Sequence, residues 1–421
     1  MLTAGAVIAS APAPVQTEDP ELALAPSVPT DVPSAVPTTA ADQTAHTQPT
    51  AAPTATPAPY VGTQFERILR PFLAEASRRR QARAAADPNY WTRIDPKLNA
   101  SRLNFLLFGY GETHEPPLTE RAFIGSLTIF SYDYRTKSID LVSLTHDIRA
   151  PEMEQALRAT GQTDVGPIKI DRTYSFGGFD VMGRTVEDAT GLSIDFQLAF
   201  KEAAIAAATD DVFGGLDVDV PLAFDVNAYY LDGVKYPGGS FTKGMQHLNG
   251  QQVIQFIKTV PVEEHYDASL EHNARKHLVF RSIMDSLGEH STDVAFMSRA
   301  ALFFTSQVAN ESIAYDFDLK PLLVDNLRSM MMDIGRSAPT DTSMPGIART
   351  MYIVDPASGD GGVQWVKANA RDNPVTARDI NENKYGELAM EVPYHGDPYA
   401  PDLVTGYWPD VRKVVLQHLT S

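Results

Sequence analysis

Gly-Gly-Leu-Asp-Val-Asp-Val-Pro at Gly214–Pro221, Leu-Asn-Gly-Gln-Gln at Leu248–Gln252 and His-Asn-Ala-Arg-Lys-His at His272–His277 decide how this chain folds. The paired glycines suit a helix C-cap and tight turn, and from Leu216 to Val220 apolar residues alternate with aspartates until Pro221 ends the run, as in a half-buried strand. Asn249-Gly250 is a turn signal, and Gln251–Lys258 predicts a helix with Val253, Ile254 and Ile257 inward. On the next predicted helix His272, Arg275 and Lys276 fall at i, i+3 and i+4, so three potential cations share a face opposite Leu278, Ile283 and Leu287. Such a face suits a phosphate. It equally describes the solvated side of a surface helix, and spacing alone does not choose.

Further stretches surround these. Asn104–Gly109 (NFLLFG), Ile124–Asp133 (IGSLTIFSYD), Ser138–Asp147 (SIDLVSLTHD), Lys169–Gly178 (KIDRTYSFGG) and Thr190–Phe196 (TGLSIDF) precede the three above. Taken in that order, the set resembles the LytR-CpsA-Psr family of cell-envelope proteins. The first three stretches are similar to its core strands, and His272–Ile283 is similar to its Arg-x-x-Arg-Gln helix. The resemblance implies an α/β fold, a mixed central sheet flanked by helices, with a hydrophobic groove between sheet and helices for a polyprenyl tail. It also implies transfer of a polyprenyl-pyrophosphate-linked glycopolymer onto peptidoglycan or another wall polymer, with aspartates holding Mg2+ and an arginine-rich clamp on the pyrophosphate. A pyrophosphate leaving group builds negative charge in the transition state, so cations placed to receive it lower the barrier.

Residue by residue, the resemblance transfers unevenly. The family's first metal aspartate falls on Gly111, beside Glu112, and its second on Gly125; glycine offers no side-chain oxygen. The arginine of the turn after the third strand falls on His146, with Asp147 kept after it, and these two are the catalytic candidates. Lys169 is kept ahead of the Gly-Gly segment. Lys258 stands where the family has an arginine, Val260 where it has a second, and His272 and Lys276 replace an arginine and a glutamine around a kept Arg275. The implied pyrophosphate site is therefore Lys169, Lys258, His272, Arg275 and Lys276. Lysine supplies a point charge where arginine supplies a fork, and the histidines add charge mainly below neutrality. Glu112, Asp133 and Asp147 are the carboxylates left to hold a cation.

Composition bounds the setting. The chain has 421 residues, no cysteine and a net charge of −18, which argues against a nucleic-acid binder and excludes disulfides and thiolate metal sites. Met1–Pro14 reads as the tail of a signal or anchor segment lacking its basic start, too short to span a bilayer, or as a plain disordered beginning. Ala11–Pro59, dominated by Ala, Pro, Thr and Val, predicts an extended disordered stalk. The organisation expected is thus a leader and stalk over residues 1–60, a basic amphipathic helix over 61–90 and the family-like domain over 91–421, outside the cytoplasm, membrane-anchored or secreted. In the helix Phe65, Ile68, Leu69, Phe72 and Leu73 precede Arg78-Arg79-Arg80 and Arg83, which predicts either contact with an acidic membrane surface or a solvated basic end.

Downstream, Thr292–Val308, Leu319–Ile334 and Tyr407–Leu419 predict helices and Thr350–Val354 a strand, while the tail from Asp355 to Tyr407 reads as loop. Glu263, Glu264 and His265 read as solvated loop residues. No P-loop, Gly-x-Ser-x-Gly elbow or His-Glu-x-x-His occurs. Two functions of different class remain: a glycopolymer phosphotransferase, and a catalytically silent relative that binds polyprenyl phosphates or wall glycans as a scaffold.

Overall fold

The computed structural model describes residues 63–111, 123–144, 150–161, 168, 170–226, 229–231, 234–258, 268–325, 343–354, 376–379, 388–391 and 408–420. Among the site candidates, Glu112, His146, Asp147 and Lys169 lie outside them, as do the stalk and Glu263–His265.

Helix α1 (Gln64–Ala86) begins at a capping box: Thr63 Oγ1 accepts the Glu66 N–H (3.1 Å) and Glu66 Oε2 accepts the Thr63 N–H (3.0 Å). Leu69, Phe72 and Ala76 carry its apolar stripe inward. Strands β1 (Arg102–Gly111), β2 (Phe123–Asp133) and β3 (Ser138–Leu144) follow as an antiparallel meander. After helices α2 (Pro151–Ala159) and α3 (Thr173–Thr190), the chain returns as β4 (Phe196–Lys201), parallel to β1. Next come helix α4 (Glu202–Ala208), strand β5 (Leu216–Val220), strand β6 (Gly244–Leu248), helix α5 (Gly250–Lys258), helix α6 (Ala268–Glu289) and helix α7 (Val294–Ala309). Strands β7 (Ile313–Tyr315), β8 (Ile347–Val354), β9 (Thr376–Asp379) and β10 (Leu388–Glu391) and helix α8 (Trp408–Thr420) complete the order.

The main sheet runs β7-β4-β1-β2-β3-β8-β10-β9 and mixes parallel with antiparallel pairs, as the resemblance implies. Because β1, β3, β4 and β8 point the same way, their carboxyl ends share one edge, where β2 begins. On one face α1 and α6 bury an aromatic layer in which Phe72 meets Phe105, Phe196 and Phe317 edge-on at 5.5, 5.1 and 5.7 Å. The other face is covered by Met182, Val186 and Ala189 of α3 and by Val415 and Leu419 of α8. Beside the sheet, β5 pairs antiparallel with β6 under α5, and β5 alternates buried Leu216, Val218 and Val220 with exposed Asp217 and Asp219, as its sequence predicts. Gly215 turns the chain into that strand at φ +111°, and a Cβ there would meet His247 Nε2 at 2.1 Å.

Three expectations change. Both readings of the basic run miss its place, since of Arg78, Arg79, Arg80 and Arg83 only Arg78 is open to solvent, at 70% side-chain exposure. Arg79 Nη1 reaches Asp316 Oδ2 (3.2 Å) and Arg83 Nη1 reaches Glu187 Oε1 (2.6 Å). Arg80 grips both oxygens of Asp195, which is fully buried, through Nε (2.6 Å) and Nη2 (2.5 Å). The helix is a latch on the sheet, and its cations are absorbed by carboxylates that local sequence could not show. Second, the tail read as loop contributes β9 and β10, four-residue runs too short for a periodic signal but long enough to pair beside β8. Third, of the helix expected over Leu319–Ile334, residues Lys320–Val324 form a single wide turn, and 326–342 lie outside the described residues.

Candidate functional site

The carboxyl edge of the sheet gathers two of the positions singled out by sequence, Gly111 and Gly125. Gly111 ends β1, and Gly125 lies in a β-bulge: Gly109 faces Ser126 and Tyr110 faces Ile124, which leaves Gly125 without a partner on β1. Leu144 ends β3 two residues ahead of His146, and Lys201 ends β4 opposite Tyr110. The next residue after β4 is Glu202, in the first turn of α4. An acid is favourable at a helix N-terminus, but this one is 4% exposed and therefore needs a counter-charge.

Lys258, at the last turn of α5, supplies it by pairing with Glu202 Oε1. Glu202 Oε2 is buried and makes no hydrogen bond among the described residues. On α6, Arg275 is 0% exposed with its guanidinium 5.0 Å from the Phe224 ring centre. The solvated-face reading of this helix is therefore corrected: Arg275 points into protein. Lys276 is half-buried, and burial, with repulsion from Lys258 and Arg275 against the pull of Glu202, brings its ammonium down to about 7. The structure thus brings Lys258 and Lys276 to one carboxylate, with Arg275 beside Lys276, through the packing of α4 on α5 and α5 on α6. His272 lies one turn earlier on the same helix.

Sequence reasoning missed Glu202, whose signal was a single acid directly after a predicted strand end and ahead of an alanine-rich helix. It also missed a buried chain of polar groups one residue past Lys276. His277 Nε2 is 2.7 Å from Ser143 Oγ on β3, and Ser143 Oγ is 2.8 Å from Thr128 Oγ1 on β2. This chain ties α6 to the two central strands just below the carboxyl edge and fixes where Arg275 and Lys276 stand.

The metal expectation does not assemble among the described residues. Asp133 ends β2 opposite Arg102, the first residue of the ten-residue β1, so it lies about 30 Å from Gly111 by strand rise. There burial pushes its carboxyl up, but the Arg135 N–H it accepts (3.0 Å) and the Arg102 guanidinium it faces (3.7 Å) outweigh that and hold it below the usual carboxylate range. Asp133 is a hairpin residue and is withdrawn from the magnesium set. No group of three histidines and carboxylates that could hold a metal ion occurs among the described residues. Nor is any described helix long and apolar enough to cross a membrane.

Similarity to known proteins is modest in identity and consistent in kind. Over 166 residues the chain is 26% identical to the polyisoprenyl-teichoic acid–peptidoglycan teichoic acid transferase TagV of Bacillus subtilis, 39% of either chain. Over 156 residues it is 26% identical to the TagU transferase of Bacillus mycoides, 37% of this chain and 43% of that one. The matches thus span about two fifths of these relatives' length. Among solved structures, Bacillus subtilis TagV superposes with a TM-score of 0.43 at 18% identity, covering 76% of this chain and 98% of that one. The structure described as TagT bound to LI-WTA gives 0.41 at 13%, covering 78% and 94%. Residues 72–298, more than half of the chain, match the model of the LytR_cpsA_psr family, and the chain belongs to that family.

Proposed function

We propose that this protein binds a polyprenyl-pyrophosphate-linked glycopolymer at the Lys258–Arg275–Lys276 cluster and transfers its glycan phosphate to a wall polymer such as peptidoglycan, outside the cytoplasm. The observation that supports the reading is the convergence of Lys258 from α5 and Lys276 from α6 on a single buried acid at the carboxyl edge of the sheet, with Arg275 beside Lys276. The names of the relatives support it at the level of the family. In the transfer, a hydroxyl oxygen of the acceptor bonds to the glycan-side phosphorus, the pyrophosphate bridge breaks and polyprenyl phosphate leaves. Lys258 and Lys276 receive the charge that builds on the bridging and terminal oxygens, Arg275 adds positive potential from behind, and Lys169 and His272 complete the clamp. His146 and Asp147 are assigned to take the hydroxyl proton.

A second reading, a silent binder of polyprenyl phosphates or wall glycans, is favoured by Gly111 and Gly125, neither of which has a side chain to hold Mg2+. No step above is routed through that ion. The test is release of polyprenyl phosphate from a short-chain polyprenyl-pyrophosphate-linked glycan, with and without chelator. Release that survives chelation supports the cationic mechanism. Binding without release supports the silent reading, and release abolished by chelation means that Glu112 and Asp147 rebuild a metal site.

A further inference from the structure

At the amino edge of the sheet, about one strand length from the cationic cluster, a cavity of about 490 Å3 opens between α1 and the β2–β3 hairpin. That volume is typical of small-molecule sites. Two large aromatic side chains rim it and remain exposed, Trp91 at 44% and Tyr134 at 42%. Both are held in place. The Tyr134 hydroxyl donates to the Ala100 carbonyl, and the Trp91 ring packs edge-on against Tyr90 at 4.8 Å, whose own hydroxyl is fixed by Ser193 (2.8 Å). Rings kept rigid and wet at a cavity mouth offer flat apolar surfaces with little ordering left to lose on binding.

The polar groups of the wall define what those surfaces would take. Arg80 and Arg102 line the cavity, yet both are matched by fully buried carboxylates, Asp195 and Asp140, so the wall shows little net charge. Ser77, Gln81 and Trp91 also line it, and their side-chain polar groups make no hydrogen bond among the described residues. Uncharged donors and acceptors between aromatic plates do not select an anion or an acyl chain. They fit a ring with apolar C–H faces and a hydroxyl-bearing edge. We propose that this cavity is a saccharide-binding subsite for neutral pyranose units, separate from the cationic site and independent of what that site does.

The test uses the full chain carrying Trp365→Phe and Trp408→Phe, so that Trp91 is the sole indole, titrated with the tetramer of β-1,4-linked N-acetylglucosamine. The expected result is a saturable change in Trp91 fluorescence, matched by calorimetric binding. Gln81→Ala and Tyr134→Ala should each weaken it roughly five- to tenfold, with the fold retained by circular dichroism. In the parent protein, with Trp365 and Trp408 kept, Trp91→Ala should abolish calorimetric binding. Lys258→Ala with Lys276→Ala should leave the affinity as it was, which separates failure here from failure of the phosphotransfer reading. No saturable response up to millimolar sugar, binding retained in Trp91→Ala, or binding of poly(glycerol phosphate) in place of the neutral tetramer would overturn the assignment.

Discussion

Replacing Arg80 by alanine is the sharpest test of how the first helix is held. Arg80 makes two bonds to Asp195, and its Nη1 and Nη2 also reach the carbonyls of Asn99 (2.7 Å) and Arg102 (2.8 Å). Without it Asp195, fully buried, keeps only the Asn104 N–H (2.9 Å) and a long contact to Ser193 (3.3 Å). Stranding one partner of a buried pair costs about 3–5 kcal/mol. A chain of this size melts roughly 1 °C lower per kcal/mol, so the fall should be about 3–6 °C by calorimetry or circular dichroism. Adding Asp195→Asn should restore part of it, because the stranded group is then neutral. Arg78→Ala, which removes an exposed pair with Glu75, should leave the melting temperature unchanged within error. An Arg80→Ala protein that melts with Arg78→Ala would refute the latch and return the helix to a surface role.

Phosphate binding at the cluster should be linked to protonation of Lys276: with its ammonium near 7, an anion bound at pH 8 should draw in a proton, and affinity should fall as pH rises from 7 to 9. Calorimetry in buffers of different ionisation enthalpy checks this, and affinity flat across that range would contradict it. The same depression, from 10.5 unfolded, means that the unfolded chain holds more protons between about 7 and 10.5; stability therefore rises with pH there, and Lys276→Met should stabilise most below pH 7. Lys258→Ala removes the ion-pair partner of buried Glu202, leaving Lys276 as the cation near it, and should cost about 1–3 kcal/mol, mostly recovered in Lys258→Ala with Glu202→Ala; a urea double-mutant cycle that came out additive would show that the two side chains do not interact. Placing aspartate at both Gly111 and Gly125 should raise magnesium affinity and turnover together, read by titration calorimetry and polyprenyl phosphate release, and no change in either would end the idea that the missing carboxylates weaken the metal site.

Local pattern was enough for the elements with a strong period. Leu216–Val220 alternates in sequence as it alternates in burial, and Val253, Ile254 and Ile257 turn inward as their helical spacing requires. Pattern failed where the deciding partner lies far along the chain. Arg80 reads as one of a basic run because its carboxylate is 115 residues away, and Arg275 reads as a surface cation although it is fully buried against the Phe224 ring. Glu202 was invisible for the same reason: a helix-starting acid is ordinary until Lys258 and Lys276 fold against it. The strands at Thr376–Asp379 and Leu388–Glu391 exist by virtue of the sheet edge they join. Asp133 shows the converse, since a carboxylate at a strand end looked like a ligand until the direction of β2 put it at the wrong edge.

Lys258, Arg275 and Lys276 are proposed to form an anion site for a pyrophosphate. Titration calorimetry of the full chain with a short-chain polyprenyl pyrophosphate, against Lys258→Ala with Lys276→Ala, tests it most directly. The expected result is saturable binding at pH 7 that weakens at least about tenfold in the double variant while folding is retained by circular dichroism. No binding by the parent protein, or equal affinity in the folded double variant, would contradict it.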